Sequence, residues 1–318
     1  MNLGTIGTNW ITSKFIKAAK ETGLLTLSAV YSRTEKKANE FASTHGVENT
    51  FTNLEEMAKS NSIDCIYIAS PNSLHFEQAL MFLKNHKHVI CEKPIFSKTV
   101  ELEKAYQIAA DNNVYLFEAL RNIHVPNFTS LKENLDHIGK IRGSILHRVR
   151  YSSRYTDYLN GENPNVFSPE FSGGALVDLG IYPLSLAVAL FGKPETSTYF
   201  PVLLDSGVDG GGTLILNYTD FTCTVICSKI TTSYLASEIH GEKGTITIDD
   251  PGRLTNLQLT NIHDGSTTAI NEDQDDKDMI YEIQSFVNII KTNDQQRYEE
   301  LKQLSKDVLS ITESARKQ

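Results

Sequence analysis

Apolar and polar positions in the first third of the chain follow two alternating periods. Short, mainly apolar runs lie at residues 3–6, 24–31, 63–70, 88–91 and 114–117, and segments with apolar side chains at every third or fourth position lie at 11–22, 34–45, 75–85 and 99–112. Short apolar runs are typical of strands buried on both faces, and the wider spacing is typical of helices that cover such strands. Strands that alternate with helices of this length predict a doubly wound parallel sheet.

The pattern changes after about residue 120. Short stretches in which apolar and polar side chains alternate recur between turns, as in a half-buried antiparallel sheet. These predicted strands cover residues 143–151, 198–204, 211–218, 222–228, 235–240, 244–249 and 257–261, and closing helices are predicted at 279–292 and 297–315. The segment Gly241-Glu242-Lys243-Gly244 is predicted to be a hairpin turn, and the acidic stretch 271–278 a solvated loop rather than a metal site.

The length of the chain predicts two domains, because 318 residues are too many for one ordinary hydrophobic core. The change of pattern places the boundary near residue 120. We therefore predict one domain at 1–120 and a second at 121–318.

The bulk properties of the chain argue against several kinds of partner. A formal net charge of −9 argues against broad nucleic-acid binding, which requires a basic face. We find no apolar run near the roughly 20 residues that cross a bilayer, and no signal-peptide pattern, so no membrane contact is expected. The four cysteines, Cys65, Cys91, Cys223 and Cys227, form no Cys-x-x-Cys pair. Buried free thiols in a cytoplasmic protein without a metal site are therefore expected.

The first predicted strand ends in a glycine, at the turn where a doubly wound sheet can bind phosphate. The dinucleotide fingerprint has glycines at the first, third and sixth positions of this turn. Here Gly7 holds the first position, Asn9 the third and Thr12 the sixth. Because asparagine tolerates left-handed backbone angles better than most residues, we expect the turn to persist. The candidate phosphate-binding residues are Gly7, Thr8, Asn9, Trp10 and Ile11, and a glycine that merely ends a strand is the alternative.

The end of the second predicted strand bears on the type of cofactor. NAD sites usually place an Asp or Glu here, which binds the ribose 2′-hydroxyl. This chain has Tyr31-Ser32-Arg33-Thr34, without a carboxylate to repel a 2′-phosphate. Ser32 can donate a hydrogen bond and Arg33 can pair with phosphate, which favours NADP and leaves NAD possible. Arg33 could instead stack on the adenine or face solvent.

The strand at 88–91 runs directly into Glu92-Lys93-Pro94. A lysine is rare at the buried end of a strand, because desolvating an ammonium group is costly unless the charge is paired. Ligands of open α/β sheets bind outside the carboxyl ends of the strands. Lys93 is therefore the first candidate for a catalytic residue. A surface lysine at a strand-to-loop junction is the alternative.

These segments together resemble a known family. Gly7, the stretch Ala69-Ser70-Pro71-Asn72-Ser73-Leu74-His75 and Glu92-Lys93-Pro94 stand in the order and frame of the Gfo/Idh/MocA oxidoreductases, which are named for glucose-fructose oxidoreductase and inositol dehydrogenase. The stretch Gly173-Gly174-Ala175-Leu176-Val177-Asp178-Leu179-Gly180-Ile181-Tyr182-Pro183 is similar to the second catalytic motif of that family. Tyr182, where many members have histidine, and Glu118-Ala119-Leu120-Arg121 are more similar to the branch that contains dimeric dihydrodiol dehydrogenase and glucose-fructose oxidoreductase. The replaced fingerprint glycines are the chief departure from the family.

The resemblance implies a complete fold and an activity. The fold class would be α/β, with an N-terminal Rossmann domain at 1–120 and a C-terminal α+β domain at 121–318. The second domain would bind substrate on a large, mostly antiparallel open sheet and form a homodimer through that sheet. The activity would be NADP- or NAD-dependent hydride transfer between nicotinamide and the hydroxyl or carbonyl carbon of a sugar, polyol or cyclic diol. Further cofactor contacts implied are Ser70, Pro71, Asn72, His75, Glu92, Lys93 and Arg121.

Three catalytic residues follow from the resemblance: Lys93 would hydrogen-bond the reacting oxygen, Tyr182 would exchange a proton with it, and Asp178 would orient Lys93 or the substrate. Which of Lys93 and Tyr182 transfers the proton stays open. Asp178 could instead be the N-cap of a helix predicted at 179–190. Tyr182 could instead be a buried aromatic residue with a satisfied hydroxyl.

A few residues have weaker assignments. Arg121 and Arg154 are candidates for substrate contact or for pairing with the cofactor loop, and His147 and His240 are interpreted as structural. A non-catalytic cofactor-binding sensor on the same fold is the alternative function. Such a protein is expected to lose the lysine or the tyrosine, and this chain has both.

Overall fold

The computed structural model describes residues 1–317. Its strands are β1 Asn2–Ile6, β2 Thr26–Tyr31, β3 Thr50–Phe51, β4 Cys65–Ile68, β5 His88–Glu92, β6 Leu116–Ala119, β7 Ile141–Val149, β8 Thr196–Leu203, β9 Asp209–Asn217, β10 Thr222–Ser228, β11 Ser237–Gly241, β12 Gly244–Ile248, β13 Leu257–Asn261 and β14 Thr267–Ala269. Its α-helices are α1 Trp10–Thr22, α2 Glu35–His45, α3 Leu54–Lys59, α4 His75–Lys84, α5 Thr99–Asp111, α6 Pro126–Asn134, α7 Ser153–Leu159, α8 Ile181–Phe191, α9 Met279–Thr292 and α10 Gln295–Ala315. The chain divides into two compact units.

The first unit is built on a six-stranded sheet in the order β3-β2-β1-β4-β5-β6. Every paired strand in it runs parallel to its neighbour. The order reverses beside β1, which creates the crevice at which doubly wound sheets bind ligands. The predicted doubly wound parallel sheet is confirmed.

The first unit is discontinuous in sequence, since it contains Met1–Ala119 and Met279–Lys306. Helix α9 packs on α1, and Phe286 of α9 stacks on Phe117 of β6 at a centroid distance of 4.5 Å. The Leu116 amide of the same strand donates to the hydroxyl of Tyr298, at 3.2 Å. These helices therefore cover an edge strand that the first 120 residues leave bare, and the structure divides differently from the predicted ranges 1–120 and 121–318.

The second unit contains Leu120–Asp278 and the chain from Asp307. Its eight-stranded sheet has the order β14-β13-β12-β11-β7-β10-β9-β8. Among the described residues of this second sheet, only the pair β7 and β10 is parallel. The prediction of a large, mostly antiparallel sheet is confirmed, and the predicted hairpin joins β11 to β12 through Glu242 and Lys243.

The elements that the pattern did not predict are short and largely polar. They are β3, β14, α3, α6 and α7, of which β14 is exposed throughout and α7 buries no residue. An element that buries little apolar surface leaves little periodic signal in the sequence. The two closing helices, in contrast, lie within two residues of their predicted starts.

One segment corrects the expectation that no run is long enough for a membrane. Residues Pro169–Phe191 are long and apolar enough to cross a bilayer by length and composition alone, and 72% of their most apolar window is buried inside the protein. The core helix of a soluble protein has the same properties, so this finding is weak evidence for a membrane span. All four cysteines are buried and free, as predicted.

Candidate active site

The turn after β1 brings the backbone of two loops together. Gly7 has a φ of +107°, and a Cβ at this position would lie 2.6 Å from the carbonyl oxygen of Ala69, which follows β4. Only glycine combines that backbone angle with so close an approach. The first fingerprint glycine is therefore required by the geometry of the turn.

The residue in the second fingerprint position has a role that the sequence did not predict. Asn9 is extended, with φ −99°, and is the N-cap of α1. Its side-chain oxygen accepts from the amides of Ile11 and Thr12, both at 3.1 Å, and its amide nitrogen donates to the Ala69 carbonyl at 3.0 Å. Asn9 therefore does not adopt the left-handed angles whose tolerance led us to expect that the turn persists. It stabilises the start of α1 and joins that start to the loop after β4.

The end of β2 presents a basic surface. Ser32 is buried, its backbone amide donates to the Phe51 carbonyl at 3.1 Å, and the Arg33 side chain next to it is exposed. Helix α2 starts two residues later, and the side chain of its N-cap residue Thr34 donates no capping hydrogen bond to it and accepts none. The exposed guanidinium and the helix start are thus available to an anion.

A buried histidine joins the loops after β4 and β5. His75 is 1% exposed; its Nδ1 lies 3.0 Å from the Pro94 carbonyl oxygen and its Nε2 2.9 Å from that of Ser70. Burial lowers the pKa of His75, while the contacts with backbone carbonyl groups oppose that shift. A neutral imidazole donates through one nitrogen only. Because its two ring nitrogens lie next to the Ser70 and Pro94 carbonyl groups, His75 links the loop that carries Ser70 to the loop that carries Lys93.

Lys93 lies directly after β5 and is half-buried, and its peptide bond to Pro94 is cis. Two buried carboxyl groups come from neighbouring positions. Glu92 accepts from the Tyr67 hydroxyl at 2.5 Å, and Glu118 on β6 accepts from the Ile95 amide at 2.9 Å. The loop that carries Lys93 is therefore fixed by hydrogen bonds of neighbouring residues that do not involve the lysine side chain.

Glu118 has the most informative pKa in the first unit. Complete burial raises the pKa of Glu118 to about 7, and the charge of Glu92 adds to that effect. Interactions with Ser305, with the Ile95 amide and with the Lys93 charge oppose it. The lysine loop thus contacts a carboxyl group that titrates near neutral pH.

In the second unit, Asp178 lies within a single π-helical turn, Leu176–Gly180, that leads into α8. Turns of this kind are rare and often occur at functional sites. The turn is held at its start by Asp209, which accepts from the Leu176 amide and from the Tyr199 hydroxyl, both at 2.7 Å. The alternative that Asp178 is a helix N-cap is wrong, because it lies inside the turn.

A glycine makes the contact between Asp209 and the π-helical turn possible. Gly174 has a φ of +132°, and a Cβ there would lie 2.1 Å from a carboxylate oxygen of Asp209. Burial raises the pKa of Asp209, and its hydrogen bonds oppose that shift. The glycine motif thus lets the backbone approach the carboxylate that positions Asp178.

Asp178 forms an ion pair with Lys229, the residue directly after β10. The lysine side chain is 7% exposed and the aspartate side chain 32% exposed. The buried ammonium therefore has a carboxylate partner that still reaches the surface of this unit.

Tyr182 lies four residues after Asp178, in the first turn of α8, and is buried. Its backbone carbonyl accepts from Asn122 at 3.1 Å and from the Ser185 hydroxyl at 3.0 Å. Two guanidinium groups lie over its ring, Arg121 at 5.3 Å and Arg148 at 4.4 Å from the centroid. The ring is thus fixed by hydrogen bonds at its backbone and by two cation–π contacts.

Both arginines beside Tyr182 have a carboxylate partner. Arg121 lies 3.1 Å from Asp278, and Arg148 lies 3.3 Å from Asp250. Burial lowers the pKa of Arg148, and the charge of Asp250 is the main opposing influence. The acidic stretch 271–278 is therefore not uniformly solvated as predicted, since Asp278 is 2% exposed.

Models of two domain families match the chain. The oxidoreductase family with an NAD-binding Rossmann fold, GFO_IDH_MocA, covers residues 1–120, and the GFO/IDH/MocA C-terminal domain covers 136–247. The scyllo-inositol 2-dehydrogenase (NADP(+)) IolU of Bacillus subtilis (strain 168) is 43% identical over 98% of this chain and 95% of its own length. This chain belongs to the Gfo/Idh/MocA oxidoreductase family.

Two further comparisons agree with that membership. Trans-1,2-dihydrobenzene-1,2-diol dehydrogenase of Xenopus tropicalis is 29% identical over 69% of this chain and 66% of its own length. The 3-ketoreductase KijD10 from Actinomadura kijaniata, solved with NADP and TDP-benzene, superposes with a TM-score of 0.85 over 98% of this chain and 97% of its own, at 19% identity. The last comparison shows the shared fold. A Gfo/Idh/MocA oxidoreductase is an NAD(P)-binding enzyme, so the prediction of an enzyme is confirmed and the sensor alternative is not supported.

The remaining predicted residues of this Gfo/Idh/MocA protein have contacts of other kinds. Arg154 is exposed and pairs with Asp157 at 3.1 Å on α7. His147 lies on β7, and His240 on β11 pairs with Glu238 at 2.8 Å. Among residues 1–317, no group of three or more His, Cys, Asp and Glu side chains could hold a metal ion.

Sequence reasoning missed Lys229, Arg148, Asp209 and Asp250 in this family member. A signal existed for Lys229, because it follows a strand directly, which is the feature that singled out Lys93. Asp209 and Asp250 carried no such signal. Their partners are set by the register of the second sheet and by the turn after β12.

Proposed function

We propose that this protein is an NADP-dependent dehydrogenase that oxidises a hydroxyl-bearing carbon of a cyclic polyol, or reduces the matching ketone. The observation that carries the proposal is Lys93, a half-buried lysine at the carboxyl end of a central strand, in a loop held from behind by His75 and Glu118. The polyol class is supported by the relationship to IolU, whose name states scyllo-inositol and NADP(+).

The residues after β1 fit a dinucleotide. Gly7 ends β1 at the position of the first fingerprint glycine, with a φ of +107° and the Ala69 carbonyl close beside it. Asn9 already occupies the amides of Ile11 and Thr12. We therefore expect the pyrophosphate to be held by the backbone at Thr8 to Trp10 and by the Asn9 side chain.

The preference for NADP over NAD is proposed from Ser32 and Arg33, at a strand end without a carboxylate. Binding can be measured by energy transfer from Trp10, the single tryptophan, to reduced nicotinamide. Arg33→Ala is expected to weaken NADPH binding by about tenfold or more and to leave NADH binding unchanged, because one charge-assisted pair is lost. Lys20→Ala, which removes an exposed charge at the end of α1, is the matched control. Equal or tighter binding of NADH by the unaltered protein would refute the preference.

We assign the chemistry as follows. The nicotinamide, when bound, supplies or accepts the hydride. Lys93 hydrogen-bonds the reacting oxygen and stabilises charge that develops there, while Asp178 orients the substrate hydroxyl. Either Lys93 or Tyr182 moves the proton at that oxygen.

The assignment is tested with Lys93→Met and Tyr182→Phe. Each is expected to lower kcat by about 10²- to 10⁴-fold, as for the loss of a group that transfers a proton. Binding of NADPH to Tyr182→Phe should be unchanged, since Tyr182 is not among the proposed cofactor contacts. The substrates are inositol stereoisomers, aldoses and cyclic diols, with oxidation of an inositol by NADP+ expected. Full turnover by Lys93→Met would show that the mechanism is wrong.

We further propose a homodimer formed through the sheet of the second unit. It is supported by exposed apolar side chains on the edge strand β8, where Phe200 is 59% and Val202 is 53% exposed. Light scattering of Phe200→Asp is expected to report a monomer, whereas Leu159→Asp on α7 should leave the dimer intact. A monomeric parent protein would end this proposal.

We place the enzyme in the cytoplasm, without membrane or nucleic-acid partners. The free, buried state of its four cysteines supports a reducing compartment. Fractionation of cells that express the tagged protein should recover it with soluble cytoplasmic markers, and recovery with membranes would contradict the proposal.

A further inference from the structure

Lys229 forms an ion pair with Asp178, and the proposed mechanism gives it no role. Its backbone is fixed on both sides, because its amide donates to the Gly210 carbonyl and its carbonyl accepts from the Ser152 amide, at 2.8 and 2.9 Å. Its side chain is 7% exposed. The hydrogen bonds therefore fix the backbone of Lys229 at the end of β10, and burial restricts the directions that its side chain can take.

The strand and the π-helical turn are in close contact beside this ion pair. A Cβ at Gly180 would lie 3.0 Å from the sulfur atom of Cys227, which is two residues before Lys229 on β10. Close packing of this kind sets the distance between the two elements. This packing brings the ammonium group of Lys229 into contact with the Oδ2 atom of Asp178.

The two partners are buried to different degrees. Lys229 is almost inaccessible, whereas the Asp178 side chain keeps 32% of its surface. One carboxylate oxygen is occupied from the protein interior, and the carboxylate still reaches the surface. The Cys227 thiol interacts electrostatically with Lys229: burial raises the pKa of Cys227 to about 12, the charge of Asp209 adds to that shift, and the charge of Lys229 opposes it.

We infer that Lys229 is a positioning residue for the reaction, which keeps Asp178 ionised and fixes which of its oxygens faces the substrate. The inference rests on the proposed role of Asp178. An ionised, oriented carboxylate can accept a hydrogen bond from a substrate hydroxyl, whereas a protonated or rotated one cannot do so reliably. A buried cation behind the carboxylate favours the ionised form and restrains its rotation.

The test is Lys229→Met, which keeps the length of the side chain and removes the charge. We expect kcat to fall by up to about 100-fold, since a displaced catalytic geometry carries a cost of that size. KM should change less than kcat, and NADPH affinity should be unchanged. The acid limb of the kcat profile should move to higher pH by about one unit, because Asp178 becomes easier to protonate without its cation.

Two further variants separate positioning from folding. Lys229→Arg keeps the charge and should restore most of the activity and the parent pH profile. In an Asp178→Asn background, Lys229→Met should have no additional effect on kcat, because the residue through which it acts is already neutral. Lys193→Met, which removes an exposed lysine that lies 3.5 Å from Asp307 in the same unit, is the matched control.

The outcomes distinguish this inference from the proposed function. If Lys229→Met keeps the parent kcat and pH profile while Lys93→Met is inactive, the inference is wrong and the function stands. An additive effect of Lys229→Met in the Asp178→Asn background would also overturn it. If Lys93→Met is fully active, the proposed function itself fails.

Discussion

In the first unit the Lys93 loop is held by hydrogen bonds that involve the backbone, whereas in the second unit buried ion pairs are added to such hydrogen bonds. His75 and Glu118 fix the Lys93 loop through the Pro94 carbonyl and the Ile95 amide. Around Asp178 and Tyr182, in contrast, Lys229, Arg148 and Arg121 each face an aspartate. In the parallel sheet, backbone groups of the loop after a strand form the contacts. At the π-helical turn of the second unit, charged side chains also form them.

The difference teaches where charge is costly in this molecule. In the first unit a buried carboxyl group has a raised pKa, so its ionised form opposes folding. In the second unit a buried guanidinium depends on its aspartate for compensation. Removing the Glu118 charge in the first unit should therefore raise the free energy of unfolding, whereas removing the Asp250 charge in the second unit should lower it.

The largest effect is expected for Asp250→Asn in the second unit. The variant leaves Arg148 buried beside a neutral amide, which should lower the free energy of unfolding by about 3 to 5 kcal/mol. The amide oxygen can still accept from the Gly252 amide, so the turn itself is preserved. Asp157→Asn removes the exposed pair with Arg154 and should cost less than about 1 kcal/mol. Urea unfolding followed by circular dichroism measures both, and equal losses would remove the contrast between buried and exposed pairs.

The opposite sign is expected for Glu118→Gln in the first unit. The folded pKa of about 7 lies above the ordinary value of 4.5, so the unaltered protein loses stability as pH rises between these values. Glutamine does not ionise and can still accept from the Ile95 amide. The free energy of unfolding of the variant minus that of the parent should therefore be up to about 3 kcal/mol larger at pH 8 than at pH 4.

Unfolding curves at the two pH values give this difference. The exposed Glu103→Gln is the control for the exchange of a carboxylate for an amide on the same unit. A Glu118→Gln difference that does not change with pH would contradict the assignment of a costly buried charge.

A smaller effect is expected from the glycine that contacts Asp209. Gly174→Ala places a methyl group against a carboxylate that is already held by Leu176 and Tyr199. Gly161 also has a positive φ, +86°, but no heavy atom lies within 4 Å of the added carbon. Gly174→Ala should cost about 2 kcal/mol more than Gly161→Ala, which reports backbone strain alone. Similar midpoints of thermal unfolding would show that the close contact is unimportant.

The smallest effect concerns the N-cap of α1. Asn9→Ala should cost about 1 kcal/mol and also weaken NADPH binding, because Asn9 links α1 to the loop after β4. Asn53→Ala removes the equivalent cap of α3, where Asn53 accepts from the Glu55 and Glu56 amides. It should cost a similar amount and leave NADPH binding unchanged. A loss of affinity in both variants would point to general destabilisation of the first unit.

The contrast between the two units also explains what the sequence could predict. Strand β5 and Lys93 were predicted because a buried parallel strand is apolar along its length and ends visibly at a charged residue. Glu118 contacts the Lys93 loop because β6 lies next to β5 in the sheet, and no local sequence pattern predicts that strand order. The branch of the family could be inferred from Tyr182, since a motif keeps its spacing even where its partners lie far away.

The second half of the site was less predictable for a physical reason. The π-helical turn at Asp178 depends on Asp209 and Lys229, the latter 51 residues away in sequence. Asp278 was expected in a solvated loop because its neighbours are acidic, yet its own partner Arg121 buries it. Ion pairs between distant residues leave no periodic signal, so only the fold reveals them.

The return of the chain to the first unit at Met279 has a consequence for synthesis. A ribosome that has released the first 120 residues has made all six strands of the parallel sheet, but not the helices that cover Phe117 and Leu116. The first unit is therefore finished only after Leu120–Asp278, the larger part of the second unit, has been translated. Residues Leu120–Asp278, the larger part of the second unit, can therefore begin to fold before α9 and α10 have been made.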